Sequence, residues 1–136
     1  MPRKINCILL IDDDPDDNFL HQMVIEESQL CNHIRIAENG QQALNYLNEP
    51  EAPDYLRPDV ILLDINMPGM NGFEFLLEYR QLPPDRQAHV ILMMLTTSLN
   101  PDDEQRAHSY GVINSYRNKP LTRQMLDEIV ETHFQA

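Results

Sequence analysis

Five side chains in this sequence could do chemistry together, because each stands at the end of a segment that reads as a strand. Asp12 and Asp13 follow Cys7-Ile-Leu-Leu-Ile, Asp64 closes Asp59-Val-Ile-Leu-Leu, Thr96 follows Val90-Ile-Leu-Met-Met-Leu, and Lys119 follows Ser115-Tyr-Arg-Asn. Three carboxylates brought together repel, and at least one pKa rises unless a cation neutralises them. A donor set made only of oxygens suits Mg²⁺ or Mn²⁺ rather than zinc. Such an ion and Lys119 together balance the three acids. A phosphoryl group on Asp64 would replace its single charge with a dianion and leave one excess negative charge. The metal and Lys119 would then bridge the new oxygens, and Thr96 could donate a hydrogen bond to one of them. The chemistry that fits is phosphoryl transfer to a carboxylate, where catalysis is mostly positioning and neutralisation of charge.

These residues can meet only if the strand ends share one edge of a sheet. Strands are expected over residues 5–11, 34–37, 59–64, 90–95 and 115–118, each an apolar or β-prone run bounded by turn residues. Helices are expected between and after them. Asp14 makes an N-cap, Pro15 fits the first helical position, and Asp16 and Asp17 favour the positive end of the helix. Phe19, Leu20, Met23 and Val24 recur at helical spacing and carry this helix to about residue 28. A second helix covers 40–47 with Ala43, Leu44 and Leu47 inward. A third covers 72–81, stopped by Pro83 and Pro84. A fourth runs to about residue 110, with Thr97 and Ser98 as loop residues capping it, and a fifth covers 122–134. Residues 48–58, with three prolines, read as a loop longer than most α/β connections. Alternation of five βα units with right-handed crossovers predicts an α/β, doubly wound (βα)5 fold with a parallel five-stranded sheet. Two strand orders are common in doubly wound folds, and five strands favour the flavodoxin-like 2-1-3-4-5, in which the first and third strands flank the switch point where a crevice opens.

Composition narrows the classes. The 136 residues suit one domain, and 42% hydrophobic content suits a globular core. A formal net charge of −12, with no basic stripe, argues against nucleic acid. The basic and apolar N-terminus is cut short by aspartates without a small-residue cleavage site, and no run reaches membrane-spanning length. A cytoplasmic protein away from the membrane is therefore expected. Cys7 lies in a strand and Cys31 in a turn region, and both are expected as free thiols. The five histidines lack metal-ligand spacing and read as surface or capping residues. Met67, Met70, Met93 and Met94 read as core filler.

Four segments together carry a resemblance over essentially the whole chain: Leu-Leu-Ile-Asp12-Asp13-Asp14, Ile-Leu-Leu-Asp64-Ile-Asn-Met-Pro-Gly-Met-Asn-Gly, Met-Leu-Thr96-Thr-Ser and Asn-Lys119-Pro120-Leu. In this order and spacing they resemble the response-regulator receiver domain. The resemblance implies that Asp64 is the phosphoacceptor for a sensor histidine kinase, with slow self-dephosphorylation and no other enzymatic activity. It implies that Asp13 binds Mg²⁺ directly, that Asp12 acts largely through water, and that the Asn66 backbone carbonyl completes the protein ligands around Asp64. Thr96 would be the switch hydroxyl, Lys119 the counter-ion, Lys119-Pro120 a cis peptide and Tyr116 the switch aromatic. The surface of the fourth helix, fifth strand and fifth helix would be read by a partner, which could be a downstream phosphotransfer protein.

The long 48–58 loop resembles single-domain regulators that accompany phytochrome-type kinases. Gly111 and Lys119 stand one residue further apart than is usual, and residues 112–118 are unusually polar for a strand of this family. A single receiver domain over residues 1–136, with no output domain, is expected, either as a monomer or as a homodimer linked to phosphorylation. One competing class is an aspartate-based phosphohydrolase using Asp-x-Asp, but Asn66 at its second position cannot serve as a general acid. Another is a flavin- or nucleotide-binding flavodoxin-like protein, which would want a Gly-rich phosphate cradle where this chain has acids.

Overall fold

In the computed structural model, which describes residues 3–134, strands and helices alternate along the chain. They are β1 (Ile5–Ile11), α1 (Pro15–Ser28), β2 (Cys31–Ala37), α2 (Gly40–Leu47), β3 (Val60–Leu63), α3 (Gly72–Tyr79), β4 (Ile91–Thr96), α4 (Pro101–Ser109), β5 (Ser115–Asn118) and α5 (Arg123–His133). All neighbouring strands pair in parallel, in the order β2-β1-β3-β4-β5. This is the flavodoxin-like architecture expected from the alternation of elements.

The sheet separates two apolar layers. On one side Leu9, Ile11, Ile61, Leu63, Leu92 and Met94 meet α2, α3 and Ala107 of α4. On the other Ile8, Leu10, Val60, Leu62, Met93 and Leu95 meet Ile25 of α1 and the α5 residues Met125, Leu126, Ile129 and Val130. β3 and β4 are buried along their whole length, which is why they read as unbroken apolar runs. Ala43, Leu44 and Leu47 face inward as expected. Met67, Met93 and Met94 are buried, and Met70 packs against the same core.

Several boundaries differ from the sequence expectation. β2 begins three residues early, because Cys31 is a buried strand residue paired beside Ile5 rather than part of a turn. An edge strand tolerates the exposed Asn32 and His33 that follow it. Asp59 and Asp64 flank β3 rather than belong to it. α3 stops at Tyr79, followed by a short 3₁₀ turn at Pro84–Arg86. Asn100, not Thr97 or Ser98, caps α4, its side chain accepting from the Asp102 N–H.

The face of α1 is the larger surprise. The helix forms where expected, capped by Asp14, but its buried residues are Asn18, His21, Ile25 and Ser28. Phe19, Leu20 and Met23, whose spacing signals the helix, face solvent. His21, expected at the surface, is only 4% exposed. The cause lies at the end of β1, where polar groups must be met by polar partners: the Asn18 amide donates to the Asp12 carbonyl at 2.9 Å.

The polarity of β5 also has a physical account. It is an edge strand, half-buried through Arg117, and its polar groups are used. The Asn114 side chain accepts from the Leu92 N–H, extending the ladder by one rung. Arg117 pairs with Glu128 of α5. The Asn118 amide donates to the Thr96 and Ser98 carbonyls, tying down the turn after β4.

Candidate functional site

Parallel strands bring their carboxyl ends to one edge, and β1 and β3 are neighbours there. Asp12 and Asp13 leave β1 while Asp64 leaves β3, its N–H donating to the Ile11 carbonyl at 3.0 Å. One carboxylate oxygen from each of these three residues lies within 4.8 Å of the others. Asp12 and Asp64 are buried, and Asp13 is the most open of the three. The segment after Asp64 is fixed by Gly72, whose N–H donates to the Ile65 carbonyl at 2.8 Å. A Cβ there would lie 2.5 Å from the Asp64 carbonyl oxygen, so α3 can start this close only on glycine.

Lys119 enters from the end of β5. Its Nζ donates to Asp12 Oδ2 at 2.6 Å and to Asp17 Oδ2 at 2.7 Å, and lies 3.5 Å from Asp64 Oδ1. The Lys119–Pro120 bond is cis. Burial alone would lower the ammonium pKa. The hydrogen bonds to Asp12 and Asp17 and the charge of Asp64 outweigh it, and the pKa is raised. Burial pushes the Asp64 carboxyl up to about 6; Lys119 opposes that rise and Asp12 adds to it. His21 is held below its usual range by burial and by the nearby Lys119 charge. Together with Asn18 it lines a small cavity beneath Asp12 and Asp64. Asn18 Oδ1 is buried there with no hydrogen-bond partner among the described residues.

Thr96 ends β4 fully buried, its Oγ1 accepting from the Ser98 N–H at 3.1 Å. Tyr116 is half-buried against the α2–α3–α4 layer, and its buried hydroxyl has no hydrogen-bond partner among the described residues. Asn66 is exposed two residues beyond Asp64.

Three carboxylates and no nitrogen or sulfur donors form a set suited to a hard divalent cation. The charge count differs from the expectation, however. Asp17 brings a fourth carboxylate, so a divalent ion and Lys119 would leave one net negative charge before any phosphoryl group arrived. In the sequence Asp17 reads only as an acid that favours the positive end of α1. The available signal was spacing: helical side chains lean toward the N-terminus, so an acid one turn after Asp13 reaches back over the strand end. No helix among the described residues is long and apolar enough to cross a membrane.

Comparison with known proteins agrees with this geometry. The response regulator receiver domain family matches residues 8–131. Response regulator Rcp1 of Synechocystis sp. is 34% identical over 131 residues, covering 96% of this chain and 86% of that protein. The Mn²⁺-bound form of Rcp1 superposes with a TM-score of 0.74 at 32% identity, covering 93% of each chain. A two-component response regulator from Cytophaga hutchinsonii gives a TM-score of 0.83 at 36% identity over 95% of this chain and 96% of that one. The bacteriophytochrome response regulator RtBRR gives 0.78 at 33% identity over 97% and 81%.

Proposed function

The chain belongs to the response regulator receiver domain family, and from that premise we propose that Asp64 accepts a phosphoryl group from a sensor histidine kinase and thereby switches a protein-binding surface. The observation that carries this reading is the convergence of Asp12, Asp13 and Asp64 within 4.8 Å, with Lys119 against them. In the transfer an Asp64 carboxylate oxygen forms a bond to phosphorus as the phosphorus–nitrogen bond of the phosphohistidine breaks. The electron pair of that bond returns to the imidazole.

Asp12, Asp13, Asp64 and the Asn66 carbonyl would hold Mg²⁺ or Mn²⁺, which supplies neutralisation of charge on the transferring oxygens. Lys119 is poised to move from Asp12 toward a phosphoryl oxygen. Thr96 would exchange its Ser98 N–H contact for one to that group, drawing the turn after β4 with it. Tyr116 would follow through its packing, altering the α4–β5–α5 surface. Phosphorylation can drive this change only through contacts that differ between the two states.

The kinase partner is of the phytochrome type on this reading, supported by the likeness to RtBRR. A single receiver acting in the cytoplasm, through protein contacts or a downstream phosphotransfer protein, completes the proposal. Incubation with acetyl phosphate and Mg²⁺ should label the chain with one acid-labile phosphoryl group, lost with a chelator or in Asp64→Ala. Labelling that survives Asp64→Ala would overturn the assignment.

A further inference from the structure

The two shortest contacts of Lys119 are not to the proposed phosphoacceptor. Its ammonium sits 2.6 Å from Asp12 and 2.7 Å from Asp17, but 3.5 Å from Asp64. The lysine side chain is 9% exposed and that of Asp17 32%, so solvent screens this ion pair only in part. Asp17 is held in place by its own backbone, since its N–H donates to the Asp14 cap at the start of α1. It is not one of the three acids that converge on one another. It touches the site through Lys119.

We propose that Asp17 is a positioning residue, which holds the Lys119 ammonium on the α1 side and competes for it with a phosphoryl group on Asp64. The inference rests on the phosphoacceptor reading of Asp64. A phosphoryl oxygen gains Lys119 at the expense of its contacts to Asp12 and Asp17, so Asp17 restrains phosphorylation of its own domain. The fourth carboxylate is thus a brake within the site.

The test is a double-mutant cycle at saturating Mg²⁺ with radiolabelled acetyl phosphate. Asp17→Asn should raise the rate of Asp64 labelling about threefold, the scale of one partly screened charge pair. Asp16→Asn, an exposed acid in the same helical turn, should leave the rate unchanged. In a Lys119→Met background, Asp17→Asn should have no effect. Equal effects of Asp16→Asn and Asp17→Asn, an unchanged rate in Asp17→Asn, or an effect that persists without Lys119 would each overturn the proposal.

A second measurement is independent of transfer. The ¹⁵N signal of the Lys119 ammonium should shift in Asp17→Asn and not in Asp16→Asn; no shift would also overturn the proposal. If the wild-type chain is not labelled at Asp64 at all, the phosphoacceptor reading falls and with it the competition. The ammonium signal then reports separately whether Asp17 holds the lysine.

Discussion

The buried carboxyl of Asp64 is the residue whose chemistry and stability conflict most directly. Its pKa is raised by burial from 3.8 to about 6. Below pH 3.8 the group is protonated in folded and unfolded chains alike, and burial is tolerated. Between those two values the unfolded chain gives up its proton first, so folding stability falls as pH rises through the window. Above pH 6 the folded protein carries the full cost of a buried charge. Asp64→Asn, measured by urea unfolding in a chelator, should therefore be more stable than wild type by about 2–3 kcal/mol at pH 7.5. The difference should vanish as pH approaches 4. An equal difference at both pH values would show that charge is not the cause. Asp12, Asp13, Asp64, Thr96 and Lys119 were legible in the sequence because a polar residue closing a strand marks a sheet edge. Asp17 and His21 were not, since one reads as an acid suited to a helix start and the other as a surface or capping histidine. Only the rotation of α1 about its axis decides which of its side chains face the site.

Among the elements, two connections carry separable jobs. Gly72 starts α3 against the backbone of Asp64 and Ile65, so Gly72→Ala must push that backbone aside. It should cost about 1–3 kcal/mol in unfolding and slow Asp64 labelling as well, because the displaced segment carries Asp64, the proposed acceptor. The 48–58 loop lies elsewhere and is pinned by Tyr46. Its hydroxyl donates to the Leu56 carbonyl at 2.6 Å and accepts from the Leu56 N–H at 2.8 Å, and its ring stacks on Tyr55 at 5.1 Å. Arg57 adds bonds to the Pro84 and Gln87 carbonyls. Tyr46→Phe should lower stability by about 1–3 kcal/mol and leave the labelling rate at the wild-type value. Slower labelling would tie this loop to the site. Strand and helix types were legible because apolar runs and alternation set them. The face of α1 was not, since its inward side is chosen by hydrogen bonds at the end of β1 rather than by hydropathy. The start of β2 was hidden for a related reason: an edge strand can expose polar residues that read as a turn.

At the scale of the whole molecule, a net charge of −12 surrounds a site that, on the proposed reading, admits an anionic phosphodonor. Repulsion over distances beyond the Debye length, about 8 Å at physiological ionic strength, slows that encounter and is relieved by salt. Labelling by acetyl phosphate at fixed Mg²⁺ should therefore be faster at about 0.15 M salt than in a low-salt buffer. Slower labelling would mean that local contacts rather than the overall field set the rate. The site also joins distant parts of the chain, for Lys119 pairs with Asp12 across 107 positions. That span has a consequence during synthesis on the ribosome. Asp64 is made 55 residues before Lys119, roughly 3–11 s earlier at ordinary translation speeds. For that interval Asp64 exists without Lys119, so on the proposed reading a nascent chain is expected to be phosphorylated poorly. If Asp64 is the phosphoacceptor, phosphorylation is thereby reserved for chains that have already closed their sheet.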